Sequence, residues 1–373
     1  MLFNRKKNYG LQSDYFLIAI IIFIIVFGLI NLSSASAIIS YQKFGNAFYY
    51  FRHQLIGFFA GAVGFWYFSN TDYHRWKKYS LSFLLFSVIL LLLVFIPGLQ
   101  NEAGTARSWI RIFGVSMQPA EFVKLSFLFY LAAWLEPKKG ENKEPRNIWS
   151  FLTVLGLISF LMVLQPDVGT LSIIALSSIA VYFIGGGKLS HIFFIFAFAG
   201  VAIFALAVAK PYQANRFKCF YNPDFDRQEK CYQVNQALIA VGSGGIFGRG
   251  LGESRQKYSY LPEVKGDSIF AITAEEVGLA FSSLLILAYL FLFYRGYLIS
   301  RRANDIFGKN LAIGISSWIV IQAIINIGGI INALPMTGVP LPLVSYGGTS
   351  ALATLSALGV LVNIGRQSSL FKR

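Results

Sequence analysis

The side chains able to do chemistry in this 373-residue chain collect in four short polar segments. The first runs from Gly104 through Arg107, Ser108, Trp109 and Arg111 into Gln118-Pro119-Ala120-Glu121-Phe122-Val123-Lys124. The second is Gln165-Pro166-Asp167-Val168-Gly169-Thr170. The third starts at Gly250-Leu251-Gly252-Glu253-Ser254, passes Gln256, Lys257 and Tyr260, and ends Leu261-Pro262-Glu263-Val264-Lys265-Gly266-Asp267. The fourth runs from Leu334-Pro335 to Pro340-Leu341-Pro342-Leu343-Val344-Ser345-Tyr346-Gly347-Gly348. Carboxylates can take a proton from a hydroxyl, and grouped Lys and Arg can hold an anionic leaving group.

Each residue also has a structural use. Glu121 and Lys124 stand i, i+3, so they share a helix face and can pair between helices. Asp167 follows a proline and opens an apolar segment, which suits an N-cap as well as catalysis. Asp267 ends a cationic, tyrosine-rich stretch; it can cap the next helix or serve as general base toward an external hydroxyl. Glu275 and Glu276 lie about 100° apart on a helix and cannot face one way. One is expected to pack or pair, the other to face a cavity. His53, His74 and His191 are scattered, and no His, Cys or carboxylate group has metal-ligand spacing.

The elements that must position these residues follow from composition. Hydrophobic residues make up 55% of the chain and charged residues 13%, about half the charge of a soluble domain. That excludes a cytosolic enzyme, a disordered chain and a small disulfide scaffold. Apolar segments read approximately over 15–33, 54–70, 79–97, 117–135, 148–165, 168–186, 190–209, 269–294, 309–333 and 343–365. Stretches of this length predict membrane-spanning helices. The first follows Arg5, Lys6 and Lys7 and precedes Ser34-Ala35-Ser36-Ala37, as in a signal peptide, but its length predicts a retained helix.

The net charge of +15 is read first as a topology signal. With a cytoplasmic N-terminus, the inner segments carry 18 Lys and Arg, while the short outer loops hold Lys43, Arg52, Arg107 and Arg111. Both termini are thus expected inside. The expected fold is an all-α polytopic membrane protein: ten transmembrane helices in one domain, 1–373, with a long external loop, 210–268, between the seventh and eighth. All four polar segments then fall on the outer face as one site. No signature of nucleic-acid binding accompanies the basic residues. Cys219 and Cys231 share the external loop, where they are either bridged or free. A bridge between them would close a short loop, worth about 3 kcal/mol.

In this order and on these spans, the segments resemble the SEDS family of bacterial cell-wall synthases, the FtsW, RodA and SpoVE proteins. The resemblance covers nearly the whole chain, and the Gly250 to Glu263 stretch is more similar to the division-associated FtsW branch than to the elongation-associated RodA branch. Two departures stand out: Ser108-Trp109 where the family often has Arg-Trp, and Lys265-Gly266-Asp267-Ser268 in place of His-Thr-Asp-Phe.

The resemblance implies a peptidoglycan glycosyltransferase of the bacterial cytoplasmic membrane, polymerising lipid II for cell division or cell shape and releasing undecaprenyl pyrophosphate. It implies Asp267 as the base, with Arg107, Arg111, Glu121, Lys124, Asp167, Lys257, Lys265 and Ser345 toward the substrate; Arg216 is a further cation for the pyrophosphate. A class B penicillin-binding transpeptidase is the implied partner, beside other divisome or elongasome membrane proteins; the sequence does not show where it docks, and the outer parts of the eighth and ninth spans are a hypothesis for that surface. Any Mg²⁺ or Mn²⁺ would arrive with the pyrophosphate. The alternatives are a flippase for lipid II or another anionic lipid, and a non-catalytic scaffold.

Overall fold

The structure, a computed structural model, describes residues 14–98, 108–112, 115–136, 148–187, 191, 193–195, 197, 200 and 211–368. In chain order the described helices are α1 (Tyr15–Phe44), α2 (Tyr49–Asn70), α3 (His74–Leu93), α4 (Pro119–Trp134), α5 (Ile148–Leu164) and α6 (Val168–Ile184). After them come α7 (Pro211–Tyr221), α8 (Tyr232–Gly244), α9 (Ile269–Arg302), α10 (Ile306–Ile330) and α11 (Gly348–Gln367). Of these, α1, α3, α9, α10 and α11 are long and apolar enough to cross a membrane. The segment expected at 190–209 lies outside the described residues except at 191, 193–195, 197 and 200.

Helix is forced on these stretches because hydrocarbon gives a backbone amide no partner. Their ends are set by local chemistry. Asp14 accepts from the Leu17 amide at 3.1 Å, capping α1, and its other oxygen meets Arg295 at 2.6 Å, tying α1 to the far part of α9. Gly45, at φ +67, closes α1 in the left-handed conformation that suits glycine. Two expectations are corrected. The last apolar segment, read from 343, becomes helical only at Gly348, because Pro340, Pro342 and the left-handed Leu343 (φ +62) keep the preceding turn irregular. The segment read as a loop over 210–268 contains α7, a 3₁₀ turn (Pro223–Asp226) and α8. Before α4, β1 (Ile110–Ile112) and β2 (Val115–Met117) form a hairpin pairing Arg111 with Ser116.

α10 is the axis of the bundle. Its apolar stretch is 89% buried, against α4, α6, α9 and α11. On the other side α2 lies along α11, and small residues permit the approach. A Cβ on Gly57 would come within 2.6 Å of the Gly348 Cα. α9 is broken at Gly278 (φ +74, ψ −177), and the 245–250 segment fills the break. The amides of Arg249 and Gly250 donate to the carbonyls of Glu275 and Glu276, both at 3.0 Å. In return Leu279 and Ala280 donate to Gly245 and Ile246 at 2.9 and 3.0 Å.

Two Gly→Ala substitutions should therefore have opposite signs. In an open helical site, alanine gains up to about 1 kcal/mol over glycine; Gly156, in α5, has nothing within 4 Å of a new Cβ. At Gly57 overpacking against backbone should win, costing about 1–3 kcal/mol. Thermal unfolding in detergent checks the pair, and a Gly57→Ala protein as stable as wild type would refute the packing argument.

Candidate functional site

The four segments converge at the end of the bundle that carries α7 and α8. The turn before α9 is built on Glu263, whose carbonyl accepts from the Gly266 and Ser268 amides at 2.9 and 3.2 Å while its φ is +51. Ser268 occupies the N-cap position of α9, so Asp267 stands one residue outside the helix and is not its cap. Its half-buried carboxylate receives the Gln233 amide of α8 at 3.4 and 3.5 Å, and the same amide reaches the Ser268 hydroxyl at 3.1 Å. Behind it, Asn326 of α10 donates to the carbonyls of Asp267 and Val339, both at 2.7 Å. One side chain thus pins the 263–268 turn to the 335–346 turn.

Arg216 of α7 completes this neighbourhood. A Cβ on Gly338 would lie 3.2 Å from an Arg216 guanidinium nitrogen and 3.6 Å from Asp267 Oδ2, so both groups crowd one glycine. Gly338 itself sits at φ +77, where a side chain is disfavoured twice over. Burial pushes the Asp267 carboxyl up to about 6, with the charge of Glu263 adding to it and Arg216 and Gln233 opposing it. The result is a carboxylate ionised at neutral pH yet more basic than an exposed one.

Lys265 lies on the opposite flank. Its ammonium sits 3.6 Å from the Tyr50 ring centroid and 5.4 Å from that of Tyr346. Burial draws it down to about 8, against the pull of Glu263 and with the help of Lys43. Ser345 acts as a clasp: its hydroxyl donates to the Gly266 carbonyl at 2.7 Å and accepts from the Leu341 amide at 2.8 Å. Gln54 of α2 holds the same turn, accepting from the Gly347 amide at 2.9 Å.

Of the remaining candidates, Glu121, Lys124, Asp167 and Lys257 are engaged in structural contacts. Asp167 caps α6 by accepting from the Thr170 amide at 3.1 Å and also takes the Gln118 amide at 3.0 Å. Lys124 is buried within α4, 2.7 Å from Glu121 and 2.8 Å from Gln322 of α10, over the face of Trp318. Gln322 in turn donates to the Pro340 carbonyl at 2.8 Å, one turn before Asn326. Lys257 gives its ammonium to Glu276 (2.8 Å), the Gly252 carbonyl (2.5 Å) and Ser34 (3.0 Å), so the structure does not present it to a ligand. Glu275, expected to differ from Glu276 in role, is an anchor as well, accepting from Ser254, Arg255 and Gln256. Arg111 is exposed on β1, and Arg107 lies outside the described residues.

Cys219 and Cys231 are joined as a disulfide, with Cα atoms 5.3 Å apart. Gln233 carries no signal in the sequence: a lone amide in a polar run reads as filler until its partner is known. Asn326 had one faint cue, as an amide within a strongly apolar helix.

A model of the cell cycle protein family, FtsW/RodA/SpoVE, matches residues 14–370. The chain belongs to that family. It is 37% identical over 360 residues to stage V sporulation protein E of Bacillus subtilis, covering 96% of this chain and 98% of the relative. It is 35% identical to a probable peptidoglycan glycosyltransferase FtsW of Coxiella burnetii, with 98% and 99% coverage. Its fold resembles a chain in the structure of a peptidoglycan synthase complex that coordinates polymerization and crosslinking, with a TM-score of 0.78 at 24% identity and coverage of 96% and 99%.

The Glu121–Lys124 pair should behave as a buried ion pair. Lys124→Met alone leaves a carboxylate uncompensated inside the bundle and should cost about 3–5 kcal/mol. Adding Glu121→Gln should restore most of that. Thermal unfolding of the two variants decides it; equal losses would show that the pair is not coupled.

Proposed function

We propose that this chain is a peptidoglycan glycosyltransferase that polymerises lipid II on the outer face of the bacterial cytoplasmic membrane, in cell division or cell-shape maintenance. The observation that carries the reading is Asp267: a carboxylate made more basic by burial, beside an arginine, in the family whose relatives bear that activity in their names. In this reading the chain is one membrane domain of ten spans with both termini cytoplasmic, and the end bearing α7 and α8 is external. The basic residues at the opposite end, Arg75, Lys77, Lys78, Arg301 and Arg302 among them, support that orientation.

A sugar hydroxyl is a poor nucleophile at neutral pH and needs its proton removed as the new bond forms. Asp267 takes that proton from the acceptor 4-hydroxyl. The oxygen attacks the anomeric carbon of the donor sugar, and the bond to undecaprenyl pyrophosphate breaks. Arg216 and Lys265 flank Asp267 and supply positive charge to the departing pyrophosphate, with Arg107 and Arg111 as further cations. Glu121, Lys124, Asp167, Lys257 and Ser345 shape the site from behind. Among the described residues no group of three or more His, Cys, Asp or Glu could hold a metal ion. A divalent cation accompanying the pyrophosphate would accordingly be held mainly by the substrate's own oxygens.

The proposed partner is a class B penicillin-binding transpeptidase with a single span. An apolar groove of about 400 Å³ runs between α9 and α10, lined by Ile286, Tyr289, Leu290, Ile324, Ile327 and Leu334. Its position supports the docking expected on the eighth and ninth spans.

Two tests follow from this reading. Purified protein with its partner, given labelled lipid II, should make glycan chains at a rate that falls as pH drops through about 6, because Asp267 is protonated below that value. Asp267→Asn should lose about 100-fold or more; chains of normal length and rate from that variant would refute the base, and lipid II flipping in liposomes without polymer would favour a transporter. A photo-crosslinker at Ile324 should capture the transpeptidase span, while one at Phe59 of α2, also exposed, should not. The reverse pattern would move the docking surface.

A further inference from the structure

The two groups that oppose the burial of Asp267 come from separate short helices, Arg216 from α7 and Gln233 from α8. One covalent bond joins those helices. Cys219 follows Arg216 by about one helical turn, and Cys231 immediately precedes α8, two residues before Gln233. We propose that the Cys219–Cys231 disulfide is a positioning device for glycan polymerisation, holding Arg216 and Gln233 on the carboxylate of Asp267. The role rests on the glycosyltransferase reading above.

The two helices are held very unequally. α8 is locked to α9: a Cβ on Gly244 would fall 2.0 Å from the Ala274 carbonyl oxygen, and the chain after it fills the break at Gly278. It also touches α10. α7 has 11 residues, below the length of about 12–15 at which an isolated helix holds itself in water. Among the described elements its packing is chiefly on the 3₁₀ turn beside it. That turn is tied to α8 by the Asn235 amide on the Pro223 carbonyl at 2.8 Å and by the Cys231 amide on the Asp226 carbonyl at 2.9 Å. The ion pairs Arg227–Asp224 and Lys230–Asp226 are local to this segment, and solvent-facing pairs of this kind contribute little. Toward the helix bundle, Asn332 reaches the Phe220 carbonyl at 3.2 Å. The disulfide is buried at both sulfurs' residues, so it transmits the fixed position of α8 to α7 without slack.

Opening the bond leaves Gln233 on an anchored helix and removes the covalent tie between that helix and the one carrying Arg216. Among the described residues the titratable groups facing Asp267 are Glu263 from its own turn and Arg216 from α7. α8, α10 and the 335–339 turn present Gln233, Asn326 and Thr337, none of which titrates. Retreat of Arg216 therefore leaves Glu263 and burial unopposed by charge, and Asp267 becomes harder to ionise. A purely structural disulfide would lower stability without moving that titration.

The test compares rate against pH for wild type, Cys219→Ala/Cys231→Ala and Cys219→Ser/Cys231→Ser, with thermal unfolding run beside it. The expected result is a kcat lowered about tenfold by misplacement of the charged group, KM for lipid II changed less, and the acid limb shifted upward from about pH 6. A folded variant with unchanged kcat and an unchanged limb overturns the proposal. Should neither variant fold, the wild-type rate is followed against the fraction of free thiol as a phosphine, itself oxidised, reduces the bond. A rate independent of that fraction also overturns it. Inactive wild type, or fully active Asp267→Asn, would instead sink the glycosyltransferase reading.

Discussion

A polar group carried into the interior of a membrane bundle is costly unless protein answers it, and the buried carboxylates here are answered in that way. Much of the architecture follows from that constraint. The break at Gly278 frees backbone groups of α9, and the 245–250 segment returns to satisfy them from both sides. Glu275 and Glu276, adjacent on one helix, are met by the amides of 254–256 and by Lys257, with Ser34 of α1 sharing Glu276 at 2.6 Å. A segment that looks like an external loop is thereby stitched into the helices it covers. Buried charge and backbone pairing hold it there, beside the buried Leu261 and Val264.

The site is held in the same way. Asn326 holds the two turns that frame Asp267, Ser345 clasps the same pair from the other side, and Gln54 fixes the last turn to α2. A base must be basic enough to take a proton and still ionised at working pH. In the proposed role of Asp267, burial and Glu263 supply the first requirement, and Arg216 and Gln233 the second. In the proposed reading the cations Arg216 and Lys265 are the ones that meet a pyrophosphate, in contrast to Lys124 and Lys257, whose ammonium groups donate inside the bundle.

The charge excess divides along the same line. Basic residues such as Arg75, Arg301 and Arg302 gather at the end away from α7 and α8, where a lipid headgroup layer and the cytoplasm would meet them. At the opposite end Arg216 and Lys265 are held by geometry, one beside a carboxylate and one between two tyrosine rings. In the proposed reading the same residue types orient the chain at one end and serve chemistry at the other.

Much of this was legible in the sequence. The apolar runs announced membrane helices because hydrocarbon permits so few alternatives, and the aspartate at the mouth of α9 stood out by its position after a cationic turn. The four polar segments resembled one family in their order, and the two cysteines offered a bridge. What the sequence by itself could not decide was which polar groups face each other. Arg216, Gln233, Asp267 and Asn326 lie on four different elements, and their meeting depends on how α7 to α10 pack. Lys257 reads like a ligand-binding cation until the fold brings Glu276 and Ser34 to it. Local spacing reports one helix face at a time, whereas buried charge is assigned by its partners across the bundle, and only the tertiary structure supplies those.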